Sequence, residues 1–210
     1  MTAASELVQT MALVSCQSAG TDAHRLPTVL TLHDRNGNAR HAMGAARTLF
    51  GEEPAVLAPQ AARPCNPFQS NFEGAPAYAG YSWYLGSDSL MPEPASFGDA
   101  LCQLELLLGE EALRNRRGVV LHGYGQGAAL ALALASYGAG NVTGLVVDRC
   151  QLPRIAGWTA PSSFAKSLRC LLLGNGSDEE LRTRGIICEY AGGGVAPPEW
   201  MRSLSTSEDR

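Results

Sequence analysis

A glycine-rich turn between a predicted strand and a predicted helix is the part of the sequence closest to known catalytic chemistry. The run GVVLHGYGQGAALALALA (residues 118–135) passes from β-branched residues through Gly123, Gly125 and Gly127 into alanine and leucine. This succession of strand, tight turn and helix is typical of the G-x-S-x-G turn, in which a nucleophilic serine stands at the strained central position. Here the central residue is Gly125. The sequence therefore predicts the backbone of a nucleophile turn without the nucleophile.

A dinucleotide-binding loop is the alternative interpretation of these glycines. Its fingerprint is G-x-G-x-x-G after the first strand of a fold. In this chain the third glycine comes one residue early, and the strand lies in the middle of the chain. Both differences favour the nucleophile turn.

The elements around the turn indicate an α/β fold, with a mostly parallel central sheet and helices on both faces. Short runs rich in β-branched residues alternate with helical patterns, as this class requires. We predict strands at 11–16, 28–32, 55–58, 118–121, 142–147, 168–173 and 186–190. We predict helices at 38–50, 96–113, 126–137 and 178–182, and a last one from Pro197 or Pro198. A single domain over 1–210 with a frayed tail at 203–210 is expected.

The segment 59–90 fits neither period and is predicted to be a long irregular loop or lid near the site. Its aromatic side chains either anchor the loop to the core or form a wall over a ligand. Six of the 14 aromatic residues of the chain fall there: Phe68, Phe72, Tyr78, Tyr81, Trp83 and Tyr84.

Five segments together resemble the phospholipase/carboxylesterase family of α/β-hydrolases, which includes the acyl-protein thioesterases. The resemblance covers most of the chain at loose similarity, and it implies the α/β-hydrolase fold. The segments are LTLHDRNGN (30–38), YSWY (81–84), HGYGQG (122–127), LLLGNGSDEEL (171–181) and EYAGGGVAPPEW (189–200).

The resemblance implies a catalytic triad that has lost two of its members. The nucleophile position is Gly125 and the histidine position is Val195, whereas the acid position keeps Asp178. All four histidines of the chain precede the predicted helix at 126–137, so none can take the position of Val195. Serine hydrolysis needs both a nucleophile and a base, and it is therefore not expected.

The same resemblance assigns the oxyanion donors to the backbone N–H groups of Gln126 and Arg35. Backbone donors do not depend on side-chain identity and can stabilise negative charge on a carbonyl oxygen. The sequence also departs from the family at Asp34, where glycine is usual.

Other polar and aromatic residues complete the predicted site. Candidate acid–base groups are Tyr124, beside the vacated position, and Asp178. His33 and His122, at strand ends, are further candidates, and a structural role is the alternative for each of them. No pattern supports Cys65 as a nucleophile. Asp178 is alternatively a solvated acid at a helix start. We predict substrate contacts from His33, Asp34, Tyr81, Trp83, Gly125 and Val195.

Composition excludes several classes of protein. The net charge is −4 and the only lysine is Lys166, so no positive field is available for nucleic acid. No apolar run is long enough to span a membrane. The six cysteines form no C-x-x-C pair and no metal pattern, which favours free thiols in a reducing cytoplasm. No cofactor or metal is expected, and the oligomeric state is left open.

Two functions are compatible with this sequence, and a third is weaker. The first is a cofactor-independent bacterial biosynthetic enzyme that performs cyclisation, cycloaddition, isomerisation or elimination on a carbonyl-bearing small molecule, polarised by the backbone donors. The second is a pseudohydrolase that binds a ligand or protein partner without chemistry. The third is residual carboxylesterase or thioesterase activity through another nucleophile.

Overall fold

Ten strands and five helices are assigned in this computed structural model, which describes residues 6–9, 14–65, 80–88, 90–110, 117–138, 141–148, 151–157, 159, 168–174, 178–191 and 196–205. The strands are β1 (Glu6–Gln9), β2 (Val14–Ser18), β3 (Thr28–Leu32), β4 (Val56–Pro59), β5 (Arg63–Cys65), β6 (Gly80–Ser82), β7 (Val119–Gly123), β8 (Val142–Val147), β9 (Arg169–Leu172) and β10 (Ile187–Tyr190). The helices are α1 (Ala39–Phe50), α2 (Pro94–Gly109), α3 (Gln126–Ser136), α4 (Glu179–Thr183) and α5 (Pro197–Ser205).

Eight of the strands form one mostly parallel sheet, as predicted. Their order is β1-β2-β4-β3-β7-β8-β9-β10, and every pairing from β4 to β10 is parallel. The edge pairings β1 with β2 and β2 with β4 are antiparallel. β5 and β6 form a separate antiparallel pair.

Helices cover both faces of the sheet. Alternation along β7 sends Val120 toward α1 and α5 and Leu121 toward α2 and α3, so each face has its own apolar core. Every residue of α3 is buried. Its alanines and leucines are strong helix formers without polar atoms, which suits a helix packed on all sides.

The structure differs from the sequence prediction mainly at short or edge elements. β1 is an additional strand, and β2 continues to Ser18 because its last two residues pair with β4.

The segment 59–90 begins with the last residue of β4 and contains β5 and β6, while residues 66–79 and 89 lie outside the described part. α2 begins earlier, since the Glu93 carboxylate accepts hydrogen bonds from the first-turn amides. Residues 203–205, predicted to be frayed, are the end of α5.

The pairing of β3 with β7 creates the setting of the candidate site. The two strands run parallel in register, with Leu32 opposite Gly123 at their carboxyl ends. The loop after β3 and the turn after β7 therefore emerge side by side at one edge of the sheet. This is the edge at which open parallel sheets carry their ligand sites.

Candidate functional site

The turn between β7 and α3 has the backbone of a nucleophile turn. Gly125 has φ 51° and ψ −112°, in the region of backbone conformation that favours glycine. A side chain on Gly127 would overlap the carbonyl group of Leu32, so glycine there allows α3 to approach β3. The strand-turn-helix arrangement predicted from the sequence is thus present.

The carboxylate of Asp34 occupies the centre of this turn. Its Oδ1 atom accepts hydrogen bonds from the backbone N–H of Arg35, at 2.7 Å, and from that of Gln126, at 2.8 Å. These are the two amides predicted as oxyanion donors. A Cβ atom added to Gly125 would overlap the Asp34 carboxylate. Asp34 therefore occupies both predicted oxyanion donors and the space in which a serine side chain at position 125 would begin.

Hydrogen bonds hold the backbone of Asp34 in place. Its carbonyl oxygen accepts from Nδ1 of His33, at 2.7 Å, and from the N–H of Gly37, at 2.9 Å. Nε2 of His33 accepts from the N–H of Ala61, at 3.2 Å, which assigns the ring proton to Nδ1. Burial lowers the pKa of His33, so the ring stays neutral.

His33 and Trp83, two of the predicted substrate contacts, support the loop that carries Asp34. Both are buried, and their rings stack with centroids 5.0 Å apart. Trp83 Nε1 donates to the carbonyl oxygen of His33 at 2.8 Å. Their role as substrate contacts stays a prediction.

Gln126 has two separate roles at the start of α3. Its backbone N–H binds Asp34, while its buried side chain joins the segment after β6 to the turn. Oε1 accepts from the Ser82 hydroxyl and the Trp83 N–H, and Nε2 donates to the Tyr84 carbonyl oxygen. These three bonds fix the position of the oxyanion donor.

Asp148 is a residue of the site that the sequence analysis did not identify. Its Oδ1 atom accepts a hydrogen bond from the N–H of Gly125, at 3.2 Å. The available signal was its position directly after β8, a neighbour of β7 in a parallel sheet. Burial and the charge of Asp148 raise the pKa of half-buried Tyr124, so the Tyr124 phenol stays protonated.

His122 is buried on β7, and its surroundings favour the neutral ring over an acid–base role. Its Nδ1 atom lies 2.8 Å from the Thr31 hydroxyl, and Nε2 has no hydrogen-bond partner among the described residues. Phe50 and Tyr124 contact the ring edge-on. Burial lowers its pKa to about 3.

Asp178 lies at the start of α4, where its carboxylate binds Arg182 at 2.5 Å. Desolvation opposes its ionisation, but hydrogen bonds from Arg182 and Tyr190 lower its pKa on balance. Asp178 thus belongs to an ion pair and is neither a solvated acid nor the partner of an imidazole. The histidine position, Val195, lies outside the described residues.

Tyr81 and Cys65, both considered in the sequence analysis, lie on the small sheet of β5 and β6. Tyr81 is half-buried on β6, pairs through its backbone with Gly37, and lines a cavity beside α1. Cys65 is on β5, in the small sheet. The described cysteines, which exclude Cys150, are free thiols.

The described residues contain no candidate metal site and no candidate membrane-spanning helix. No three His, Cys, Asp or Glu residues in that part of the chain are grouped to hold a metal ion. None of its helices has the length and apolarity to cross a bilayer.

Solved structures with a similar fold include esterases and a thioesterase. No protein-family model and no curated protein matches the sequence. A carboxylesterase from Mesorhizobium loti is similar at 16% identity and a TM-score of 0.67, over 96% of this chain and 98% of that one. A Bacillus cereus carboxylesterase is similar at 15% identity and 0.62, over 94% and 95%. Zea mays acyl-protein thioesterase 2 is similar at 18% identity and 0.56, over 93% and 97%. The chain therefore has the α/β-hydrolase fold.

Proposed function

We propose that this protein is a non-hydrolytic, cofactor-independent enzyme of the α/β-hydrolase fold, which transfers a proton on a small carbonyl compound with Asp34 as the base. One observation carries the proposal: an exposed carboxylate stands at the vacated nucleophile position, held through Oδ1 by both predicted oxyanion donors. Isomerisation, elimination and cyclisation are the reaction classes that such a site can perform. Cycloaddition needs no base and is set aside.

The catalytic triad that ester hydrolysis needs is not available in this chain. Gly125 has no hydroxyl group, no histidine follows His122 in the sequence, and the acid Asp178 is engaged by Arg182. We expect no turnover of chromogenic short-chain esters. Gly125→Ser alone should also stay at background, because no histidine follows it to complete the triad and its Cβ atom would overlap the Asp34 carboxylate. A burst of product from that variant would reveal a base elsewhere.

The first step we propose is an exchange at the oxyanion hole. The substrate carbonyl oxygen replaces Oδ1 of Asp34 at the N–H groups of Arg35 and Gln126. Hydrogen bonds to charged groups contribute about 1.5–3 kcal/mol each, so binding of the remaining substrate must offset their loss. The displaced carboxylate then lies beside the bound carbonyl group.

The second step is proton transfer from the carbon next to that carbonyl group. Asp34 takes the proton, and the C–H electron pair forms a C=C bond to the carbonyl carbon. The π electrons of the C=O bond move to the oxygen, so the enolate oxygen carries the negative charge. The two backbone N–H groups stabilise this charge. Return of the proton to a different carbon gives isomerisation, and loss of a β-substituent gives elimination. The protonated Tyr124 phenol, from the residue before Gly125, is the candidate for a second proton donor.

Exchange of α-protons for deuterium tests this chemistry without knowledge of the natural substrate. The wild-type protein is incubated in D2O with acetophenone, phenylacetaldehyde and a phenylacetyl thioester, and exchange is followed by NMR. Asp34→Asn keeps the shape of the side chain but removes the base, and we expect a loss of about 100-fold or more in the exchange rate. Asp22→Asn is the matched control, since Asp22 precedes β3 at the other end of that strand. Equal rates in wild type and Asp34→Asn would contradict the proposal.

A non-catalytic pseudohydrolase is the second candidate, and the same hydrogen bonds favour it. With both donors bound to Asp34, the site satisfies its own polar groups without a ligand. Absence of exchange in wild type with all three probes would favour this candidate over the enzyme.

A further inference from the structure

A cavity of about 360 Å³ lies beside the start of α1, between β2 and β6. Its volume falls in the range of small-molecule sites. The Tyr81 side chain is one wall, and Arg40, His41, Asn38 and Gln60 supply polar lining. None of these residues is part of the turn at Gly125.

Arg40 is the charged group of this cavity. Among the described residues, its lining also contains His41 and no carboxylate. Arg40 forms no hydrogen bond or ion pair within the described residues. Its charge acts on the Cys16 thiol of the same cavity: burial raises the pKa of Cys16, and Arg40 partly opposes the rise. The guanidinium group is therefore close to the cavity and available, in a chain whose net charge is −4.

The backbone amides of α1 do not supply the recognition, because the protein itself uses them. Asn38 Oδ1 accepts from the N–H of His41 at 2.9 Å, and Gln60 Oε1 accepts from that of Ala39 at 3.0 Å. The Asn38 side-chain amide also lies 3.3 Å from Nδ1 of His41, which leaves Nε2 as the donor of that ring. The Arg40 guanidinium group and Nε2 of His41 are side-chain donors of this lining that a ligand can use.

We propose that this cavity binds the oxyanion of a small organic molecule, a carboxylate or a phosphate monoester, through Arg40 and His41. The planar guanidinium group matches the two oxygens of either anion. The Tyr81 ring contacts the apolar part of the ligand. This binding goes beyond the proposed function and does not depend on whether the turn at Gly125 performs chemistry.

Binding of three related probes tests the inference. Benzoate, phenyl phosphate and uncharged benzamide are titrated into the full chain at millimolar concentration and followed by NMR. We expect at least one of the anions to shift resonances of residues 38–41 and to bind about tenfold more tightly than benzamide. The affinities of benzoate and phenyl phosphate show whether the cavity prefers a carboxylate or a phosphate monoester. Equal binding of all three probes, or no shifts at these residues, would overturn the inference.

Substitutions assign the binding to the two side chains. Arg40→Gln and His41→Asn should each weaken anion binding about tenfold, and Arg40→Lys should recover part of it because the charge remains. Both residues are exposed, so the fold should tolerate these changes. Arg25→Gln is the control, since Arg25 is a solvent-exposed arginine before β3. Unchanged affinity in Arg40→Gln would contradict the assignment, and the measurement does not involve the proton-transfer activity.

Discussion

The turn at Gly125 and the start of α4 hold different parts of the triad site that the sequence resemblance predicts. The turn has the strained backbone conformation and both predicted oxyanion donors, and its central residue has no side chain. The start of α4 has the predicted acid, Asp178, whose carboxylate binds Arg182. Backbone donors are set by the fold and survive a change of side chain. A triad acid depends on a histidine, and without one the carboxylate pairs with a neighbouring cation.

The two regions also differ in where the partner of each group comes from. At the turn, Asp34 from the loop after β3 fills the space beside Gly125 and binds the N–H groups of Arg35 and Gln126. At α4, the partner of the carboxylate comes from the same short helix, four residues along the chain. The first partner depends on tertiary contacts, and the second is local. Substitutions at the turn should therefore have larger effects than substitutions at α4.

The largest effect on stability is expected from Gly125→Ala. A side chain at this φ costs about 1–2 kcal/mol, and overlap with the Asp34 carboxylate adds about 1–3 kcal/mol. We expect the free energy of unfolding, measured by denaturant titration, to fall by about 3 kcal/mol. Gly44→Ala is the matched control, because its Cβ would meet open space in α1; it should stabilise by about 0.5–1 kcal/mol.

A double-mutant cycle separates the two causes of that loss. Asp34→Gly removes the carboxylate, so the Gly125→Ala change should cost about 1–2 kcal/mol less in that background. Equal costs in the two backgrounds would mean that Asp34 does not fill the nucleophile space, and the contrast with α4 would fail.

An intermediate effect is expected from His122, which lies on β7 next to the turn. Its pKa is about 3 in the folded protein against 6.5 for the free side chain. The unfolded chain therefore binds more protons between these values, and stability falls as the pH falls through this window. One proton changes stability by about 1.4 kcal/mol per pH unit, so about 2 kcal/mol should be lost between pH 6 and pH 4.

Denaturant titrations at several pH values check this dependence. His122→Gln should flatten the pH profile in that window, and His24→Gln, at an exposed site, is the control for removal of a histidine. A profile that is identical in wild type and His122→Gln would show that burial of the ring does not control the titration.

The smallest effect is expected at Asp178 and Arg182. Ion pairs at the surface contribute little to stability, and the Arg182 side chain is about half exposed, so Asp178→Asn and Arg182→Gln should each cause only a slight loss in denaturant titrations. Because the pKa of Asp178 is lowered in the folded protein, its contribution is present near neutral pH. It is lost as the pH falls below the usual carboxyl range. Deuterium exchange at the turn should be unchanged in Asp178→Asn; a large loss would make Asp178 catalytic and remove the contrast.

Elements with a strong local pattern could be predicted from the sequence. The β-branched runs of β3, β7 and β8 and the alanine-leucine helix α3 lie close to their predicted bounds, since burial on both sides leaves a continuous apolar signal. The strands β5 and β6 have three residues each and are stabilised by pairing with each other across the segment between them. Such pairing has no local signature, so the segment 59–90 was predicted to be irregular.

The sequence by itself determined what the site lacks. A missing hydroxyl group at Gly125 and the absence of any histidine after His122 are covalent facts that no folding can change. Only the tertiary structure decided what stands in their place. Asp34 and Gln126 are 92 residues apart, and the parallel pairing of β3 with β7 brings the carboxylate of one to the N–H of the other. Hydrogen-bond partners at that separation follow from the packing of strands, which is why Asp34 could be identified as unusual but not as the occupant of the oxyanion hole.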